Sequence, residues 1–305
     1  KSRGGASLAD FNNDEIDEII IATENNDMIC KVDYAGNIDT LLVIDDNFKA
    51  SPSILDIDGQ KTILIGSHDK SFYAINSEGE NVFTVDVEDE INSTASFLEN
   101  DSNILIFFGS DDGFLHGLYS NGQLLSGWPV NLGGEVGSPV FSDLDGDGNP
   151  EIIVGAGNKI HAINLNGVSY NSNHFPIQVE FSTTSAPIIA DIDGDNDLEI
   201  IIGSLADLIV IDIMEQGGTS SNYWSMDKGG DDRAGLYIAS SSCSNGQLGD
   251  SNCDENIDIF DIIIIVNIIL NQTVPDGAQL WSSDYNQDGN IDILDITEIL
   301  NVILD

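Results

Sequence analysis

A repeat of 43 to 48 residues, marked by an acidic loop between two strand-like runs, constrains the fold more than any other feature. Each loop is followed by a β-branched run ending in Gly or Ala, then by an alternating run and an Asn/Gly turn. Period-two runs bounded by Asn, Asp and Gly are typical of strands and turns. Four strands per repeat of this length predict one blade of a β-propeller. The predicted fold class is therefore mainly β, with five visible four-stranded blades. The first acidic residues of the loops, called anchors below, are Asp10, Asp56, Glu99, Asp143 and Asp191.

Three of these loops, in repeats 1, 4 and 5, have the spacing of a hard-cation site. Side-chain oxygens recur at loop positions 1, 3, 5 and 9, and position 7 can add a backbone carbonyl. Calcium takes six to eight oxygens at short range, and carboxylates this close together repel one another without a cation. The alternative is a solvated acidic turn. The predicted calcium ligands of the three loops are Asp10, Asn12, Asp14, Ile16 and Glu18; Asp143, Asp145, Asp147, Asn149 and Glu151; and Asp191, Asp193, Asp195, Asp197 and Glu199.

The second and third repeats depart from this pattern. Their anchors, Asp56 and Glu99, lie ten residues before the glycine that ends the β-branched run, against twelve in the other loops, and the late Glu is missing. We predict that these two repeats bind no calcium.

These motifs resemble the FG-GAP/VCBS propeller repeats, which also occur in the head of integrin α-subunits, over roughly residues 5–238. Phrases such as Gly127-Trp-Pro-Val130 resemble the blade-ending strands of secreted bacterial members. The resemblance implies a propeller domain over residues 1–239. Integrin-type propellers have seven blades, so the chain forms either a five-bladed ring or a propeller whose amino-terminal blades are missing from this sequence.

A second module follows a Ser/Asn/Gly-rich linker at residues 240–247. Two twelve-residue loops, 250–261 and 284–295, carry acidic or amide side chains at positions 1, 3, 5, 9 and 12, and an apolar helical run follows each. This is EF-hand spacing with Asp at position 12. The two loop–helix units resemble the type I dockerin domain over residues 248–305. The calcium ligands implied by that resemblance are Asp250, Asn252, Asp254, Asn256, Asp258 and Asp261, and Asp284, Asn286, Asp288, Asn290, Asp292 and Asp295.

Dockerins bind cohesins mainly through helix residues just after the loops. Cellulosomal dockerins often carry Ser-Thr at loop positions 10 and 11, where this chain has Ile-Phe and Ile-Leu. An apolar contact with a cohesin-like partner is therefore expected. The first helical run is apolar almost all round, and a small module can bury only one stripe of it. The remaining apolar surface is expected to contact a partner, a neighbouring domain or the propeller. The alternative is that the two helices simply bury each other. The predicted partner-binding residues are Ile259, Phe260, Ile263, Ile293 and Leu294.

Composition narrows the function classes. The chain has 53 Asp and Glu against nine Lys and Arg, a formal net charge of −44. That balance disfavours nucleic acid and anionic membrane surfaces as partners, and no apolar run reaches the length of a membrane span. The four histidines are scattered, and phosphate-loop and dinucleotide motifs are absent from the sequence. Cys243 and Cys253 either form a disulfide or remain free thiols.

The sequence thus predicts a non-catalytic extracellular or cell-surface protein of bacterial origin that binds about five calcium ions. The propeller would be a binding or display scaffold, and the dockerin-like module would attach it to a cohesin-like protein or surface assembly. The first residue is Lys, so the chain is read as a processed product or a fragment. Two alternatives stay open: the carboxyl-terminal part of a secreted protease or polysaccharide-degrading enzyme, and an integrin-like adhesin or fibre subunit that self-associates.

Overall fold

The computed structural model describes residues 4–24, 27–57, 59–100, 103–171, 174–221, 223–229, 233–239, 248–251, 257–270, 281–287 and 289–304. The chain divides into two compact units, Lys1–Ile238 and Ala239–Asp305.

In the described part of the first unit there are five sheets, one for each repeat, called sheets 1 to 5, and the strands of each repeat pair antiparallel. Strands that follow one another in sequence are neighbours in each sheet. Sheet 1 contains β1 (Ser7–Ala9), β2 (Glu18–Ala22), β3 (Met28–Val32) and β4 (Ile38–Val43). Sheet 2 contains β5 (Ser53–Ile57), β6 (Gln60–Gly66), β7 (Ser71–Ile75) and β8 (Asn81–Asp86). Sheet 3 contains β9 (Ser96–Asn100), β10 (Asn103–Gly109), β11 (Phe114–Tyr119) and β12 (Val130–Asn131). Sheet 4 contains β13 (Val140–Ser142), β14 (Glu151–Ala156), β15 (Lys159–Ile163) and β16 (Ile177–Gln178). Sheet 5 contains β17 (Ile188–Ala190), β18 (Glu199–Gly203) and β19 (Leu208–Asp212).

The strand count differs from the expected four at two sheets. Sheet 5 has three strands within the described residues, and sheet 2 gains a fifth strand, β20 (Leu236–Ile238), which pairs parallel to β5. The reason is the path of the described residues 218–221, 223–229 and 233–238, called the tail segment below. These residues follow the last strand of sheet 5 in sequence and bond to the first strands of several sheets.

The tail segment is held by backbone hydrogen bonds to the first strands of four sheets. Its carbonyls accept N–H groups from β13, β17, β1 and β5 at 2.7 to 3.0 Å. The four donor–acceptor pairs are Phe141 to Trp224, Ile189 to Ser225, Leu8 to Ala234 and Ile54 to Gly235. Because first strands would otherwise present unpaired edges, this one segment protects four sheets at once.

Aromatic packing fixes the tail segment against sheet 3. Phe97 of β9 contacts Trp224 edge-on (centroids 5.2 Å apart) and Tyr237 at 5.6 Å. The Tyr237 hydroxyl is hydrogen-bonded to the Glu99 carboxylate, and burial together with that negative charge raises the pKa of Tyr237. Lys228, which is buried, donates to the Ala6 carbonyl ahead of β1. Such aromatic contacts and satisfied polar groups stabilise a buried segment.

Successive sheets pack face to face through their second strands. Ile20 of sheet 1 shares a core with Ile63 and Ile65 of sheet 2. In the same way, Ile153 of sheet 4 shares a core with Ile200 and Ile202 of sheet 5. Alternation along a strand puts the middle residue of each second strand toward the next sheet and its two flanking residues toward the previous one.

The two remaining junctions follow the same rule. Phe72 of sheet 2 stacks on Phe108 of sheet 3, with centroids 4.0 Å apart. Phe107 of sheet 3 contacts Phe141 of sheet 4 at 5.4 Å. Each sheet therefore buries both faces only when a sheet lies on either side of it.

Within its described residues, the second unit contains the helices α1 (Ile259–Ile269) and α2 (Ile293–Leu304), and residues 281–283 are also helical. The helices contact each other around Ile262, Ile265 and Ile299, which are buried. The Asp258 side chain caps α1 and forms a capping box with Asp261.

Candidate metal sites

The fourth acidic loop, between β13 and β14, curls around its anchor carboxylate. Asp143 Oδ1 accepts the N–H of Gly146 at 2.8 Å, and Oδ2 accepts the N–H of Gly148 at 2.9 Å. Glu151 Oε2 accepts the N–H of Leu144 at 3.0 Å. Both carboxylates are buried. The backbone of the loop therefore holds the first and last predicted ligands in place.

Three carboxylates converge in this loop. Asp143, Asp145 and Glu151 each offer an oxygen within 4.8 Å of the others. Burial raises the pKa of Glu151 to about 7, and the charges of Asp145, Asp143 and Asp147 add to the rise, although the N–H of Leu144 opposes it. A divalent cation among these oxygens would turn the repulsion into attraction, and an all-oxygen donor set suits calcium.

The fifth acidic loop repeats this frame. Glu199 Oε2 accepts the N–H of Ile192 at 2.7 Å, and Asp191 Oδ1 accepts the N–H of Gly194 at 2.7 Å. Two overlapping groups of carboxylate oxygens lie within 4.8 Å of one another here: Asp191, Asp193 and Glu199, and Asp195, Asp197 and Glu199.

Asp197 adds a carboxylate that the fourth loop lacks, since Asn149 stands at that position. Its side chain is buried, and its Oδ1 has no hydrogen-bond partner within the described part of the chain. Burial, followed by the hydrogen bond and charge of Asp195 and the charges of Asp212 and Glu199, raises the pKa of Asp197 to about 6. This loop therefore offers the richest donor set of the three.

The first acidic loop has the same backbone hydrogen bond to its last carboxylate as the other two loops, but no group of three converging carboxylates is found among its described residues. Glu18 Oε2 accepts the N–H of Phe11 at 2.8 Å, as in the other two loops. Asn12 Nδ2, however, donates to Glu18 Oε1 at 2.8 Å. Burial acts to raise the pKa of Asp10, but N–H groups of residues 12–15 prevail and lower it. The amide of Asn12 thus satisfies an oxygen that a cation would take in the other loops.

The position-5 carboxylate makes the same turn in all three loops. Its Oδ1 accepts the backbone N–H of position 7, two residues on, as in an Asx-turn. The pairs are Asp14 with Ile16 (2.9 Å), Asp147 with Asn149 (2.7 Å) and Asp195 with Asp197 (3.2 Å).

The anchors of repeats 2 and 3 have protein partners instead. Asp56 forms an ion pair with Lys61, Nζ to Oδ2 at 2.9 Å, and both side chains are nearly buried. Glu99 binds the hydroxyl of Tyr237. An ammonium group and a phenol therefore occupy the two anchors that sequence reasoning predicts to be metal-free. Lys61 is visible in the sequence beside its loop, whereas Tyr237 lies far along the chain.

The two loops of the second unit hold their position-12 carboxylates alike. Asp261 accepts N–H groups from Ser251 and Asp258, both at 2.8 Å. Asp295 accepts N–H groups from Asn286 (3.1 Å) and Asp292 (2.8 Å). Asp261 and Asp295 are fully buried.

At position 1 of the second of these loops, Asp284 Oδ2 accepts the N–H of Gly289 at 2.9 Å. The equivalent Asp250 is buried. Asn290, another predicted ligand of the second loop, also lies within the described residues. The predicted ligands Asn252, Asp254, Asn256 and Asp288 and the cysteines Cys243 and Cys253 lie outside the described residues, as does the 240–247 linker.

The five predicted partner-binding residues are exposed at the starts of the two helices. Ile259 and Phe260 begin α1, and Ile293 and Leu294 begin α2, so the pairs occupy equivalent places. Position-9 carboxylates cap both helices, since Asp292 accepts the N–H of Leu294 as Asp258 accepts that of Phe260. Their exposed fractions, with that of Ile263, run from 49 to 63%: Ile259, Phe260, Ile263, Ile293 and Leu294.

Three of the four histidines make hydrogen bonds, whereas His161 Nε2 is buried without a hydrogen-bond partner in the described part of the chain. His68 bonds to Asn92 and Glu90, and His174 bonds to Asn171. His116 Nε2 lies 2.9 Å from Ser110 Oγ, a spacing that a nucleophile and base would show. Ser110 is fully buried and also donates to Asp112, so it cannot meet a substrate.

Two models of known protein families match parts of the chain. Residues 143–202 match the model of the FG-GAP-like repeat, and residues 248–304 match the model of the dockerin type I domain. A search among curated proteins found no match. No helix in the described ranges is long and apolar enough to cross a membrane.

Two similar solved structures are crystals of BBS1N in complex with ARL6DN. One, soaked with mercury, has a TM-score of 0.48 and 13% identity, and the alignment covers 68% of this chain and 64% of that chain. The other, soaked with lead, has a TM-score of 0.44 and 15% identity, with 69% and 66% covered. The chain thus spans slightly less than two thirds of each.

The chain therefore carries an FG-GAP-like repeat followed by a dockerin type I domain. Both are interaction modules typical of extracellular or cell-surface proteins, and type I dockerins bind calcium and take cohesins as protein partners.

Proposed function

We propose that the chain is a non-catalytic, calcium-stabilised attachment protein. Its five sheets would be blades of a β-propeller that serves as a display scaffold, and the dockerin module would anchor it to a cohesin-like protein on a bacterial surface assembly. The observation that carries this is the paired apolar helix starts, Ile259–Phe260 and Ile293–Leu294, exposed beside two buried position-12 carboxylates.

Calcium and the partner surface are linked through the loops. The position-9 carboxylates Asp258 and Asp292 cap the two helices and also stand at a predicted ligand position. A bound ion would therefore fix the helix starts that carry the apolar pairs. Calcium would occupy both dockerin loops and up to three acidic loops, about five ions in all.

The test measures binding of the whole chain to a panel of purified cohesin modules by calorimetry, with and without calcium. We expect calcium-dependent binding that Phe260→Asp together with Leu294→Asp weakens at least 100-fold, because buried apolar anchors dominate such contacts. Thr297→Asp, also exposed on α2, is the matched control and should cost less than threefold. Equal losses in both variants, or binding unaffected by chelation, would overturn the proposal.

A further inference from the structure

The fifth acidic loop contains two groups of converging carboxylates. Asp191 and Asp193 form the first group with Glu199. Asp195 and Asp197 form the second group with the same Glu199. Within each group, the members offer oxygens that all lie within 4.8 Å of one another. Because Glu199 belongs to both groups, its carboxylate lies where two cation sites would meet.

Asp197 gives the second group a feature that a solvated acidic turn lacks. Its side chain is 6% exposed, and its Oδ1 is buried without a hydrogen-bond partner in the described part of the chain. That side chain converges on Asp195 and Glu199, which also carry negative charge. Burying a charge is costly unless an opposite charge or a donor compensates it. The buried oxygen therefore points to a cation that completes the group.

The fourth loop shows how the same position is satisfied without a second cation. Asn149 stands at position 7, where the fifth loop has Asp197. The Asn149 Nδ2 donates to Asp147 Oδ1 at 3.0 Å, so an amide compensates the position-5 carboxylate. The described residues of this loop form a single group of converging carboxylates, and position 7 is not among them.

A single ion would leave the Asp197 side chain uncompensated. In the spacing of these loops, position 7 contributes a backbone carbonyl to the ion, so the carboxylate of Asp197 is surplus to that site. The loop carries five carboxylates from Asp191 to Glu199, and one divalent ion neutralises two of the five charges. A further carboxylate, Asp212, lies directly across from Glu199 on β19. Paired metal ions about 3.5–4 Å apart are a known arrangement in proteins, and a shared carboxylate suits that separation.

The second group is also open to an ion from solvent. Asp195 is exposed, whereas Asp197 and Glu199 are buried behind it. An ion can therefore reach the buried oxygens past an exposed ligand, as a metal site with an entry path requires.

We propose that the fifth acidic loop binds two calcium ions bridged by Glu199. Asp191 and Asp193 hold the first ion. Asp195 and Asp197 hold the second. This inference rests on the proposed binding of calcium by this loop and adds a second ion to it, whereas the fourth loop binds one.

The test counts the calcium ions bound by the whole chain in equilibrium dialysis. Asp193 belongs to the first group alone and Asp197 to the second alone, so each group can be weakened separately by a change to asparagine. Both changes place a residue that another loop of this chain already has, since Asn12 stands at position 3 of the first loop and Asn149 at position 7 of the fourth. The loop frame therefore accepts an amide at either position.

The free calcium concentration is set just high enough to fill the wild-type chain, in physiological salt that screens non-specific attraction to its acidic surface. Asp193→Asn and Asp197→Asn should each lose about one ion per chain, and the double variant should lose about two. The matched control is Asp207→Asn, which removes an exposed carboxylate between β18 and β19 and should leave the number of ions unchanged.

The double variant decides between one ion and two. Loss of a single ion would overturn the second site and leave calcium in the fifth loop in place. Loss of no ion would overturn both this proposal and the proposed binding of calcium by this loop.

Discussion

The ion pair of the second repeat allows a direct test of whether Lys61, and not a metal ion, compensates the charge of the anchor Asp56. Lys61 Nζ lies 2.9 Å from Asp56 Oδ2, and their side chains are 12% and 10% exposed. Asp56 Oδ1 has no hydrogen-bond partner in the part of the chain that the structure describes. Lys61→Met keeps the apolar stem but removes the charge, so Asp56 is left buried and uncompensated.

The expected cost follows from that burial. Removing one partner of a buried ion pair typically costs 3–5 kcal/mol, and we take about 3 kcal/mol because the pair is not fully buried. For a domain of this size, 1 kcal/mol corresponds to roughly 2–4 °C in Tm, so the variant should melt about 6–12 °C lower. The loss should be the same in calcium and in chelator if no metal binds this loop.

Thermal unfolding followed by circular dichroism measures the effect. The matched control is Lys70→Met, because Lys70 pairs with Asp89 at 4.0 Å and both side chains are about half exposed. An exposed pair contributes at most about 1 kcal/mol, so the control should move Tm by no more than about 4 °C. Asp56→Asn added to Lys61→Met should recover more than half of the loss. A shift no larger than that of the control, or a double variant as unstable as the single one, would refute the reasoning.

Three further predictions concern metal and protons. Chelation should lower Tm by many degrees and unfold residues 248–305 first, since that small core depends on metal; an unchanged melting curve in excess chelator would contradict the calcium sites. Asp295→Ala should abolish tight calcium binding in the second dockerin loop by calorimetry, while Glu298→Ala, exposed on the same helix, should leave it intact. Burial lowers the pKa of His116 and of His161 to about 4. Between pH 6.5 and 4 the unfolded chain therefore binds protons at these histidines that the folded chain does not bind. In saturating calcium, the urea midpoint of unfolding should be constant above pH 6.5 and fall as the pH is lowered from 6.5 to 4. His116→Gln should reduce that slope by about half, because His161 still contributes, and an unchanged slope would count against the assignment.

The sequence predicted those features that depend on the spacing of nearby residues. It did not predict contacts between residues that are far apart along the chain. The repeat, the order of strands and the carboxylate groups of loops 4 and 5 all follow from patterns within fifty residues. Whether Asn12 turns its amide toward Glu18 depends on rotamers that spacing does not encode. The contact of Tyr237 with Glu99 and the course of the tail segment depend on which distant edges remain unpaired, and no local periodicity records that.

The tail segment also sets a schedule for folding during synthesis. Lys228 and the Ala6 carbonyl are 222 residues apart, and the edge of β1 is paired only when the tail has emerged. At about 5–20 residues per second, sheet 1 waits on the ribosome for roughly 10–45 s before its first strand is sealed. The five sheets are thus synthesised before the first-strand edges of four of them have a partner. The tail segment, at the end of the first unit, then pairs with those edges. Truncation ahead of residue 218 should therefore leave β1 to β19 encoded but remove the backbone partners of the first strands β1, β5, β13 and β17.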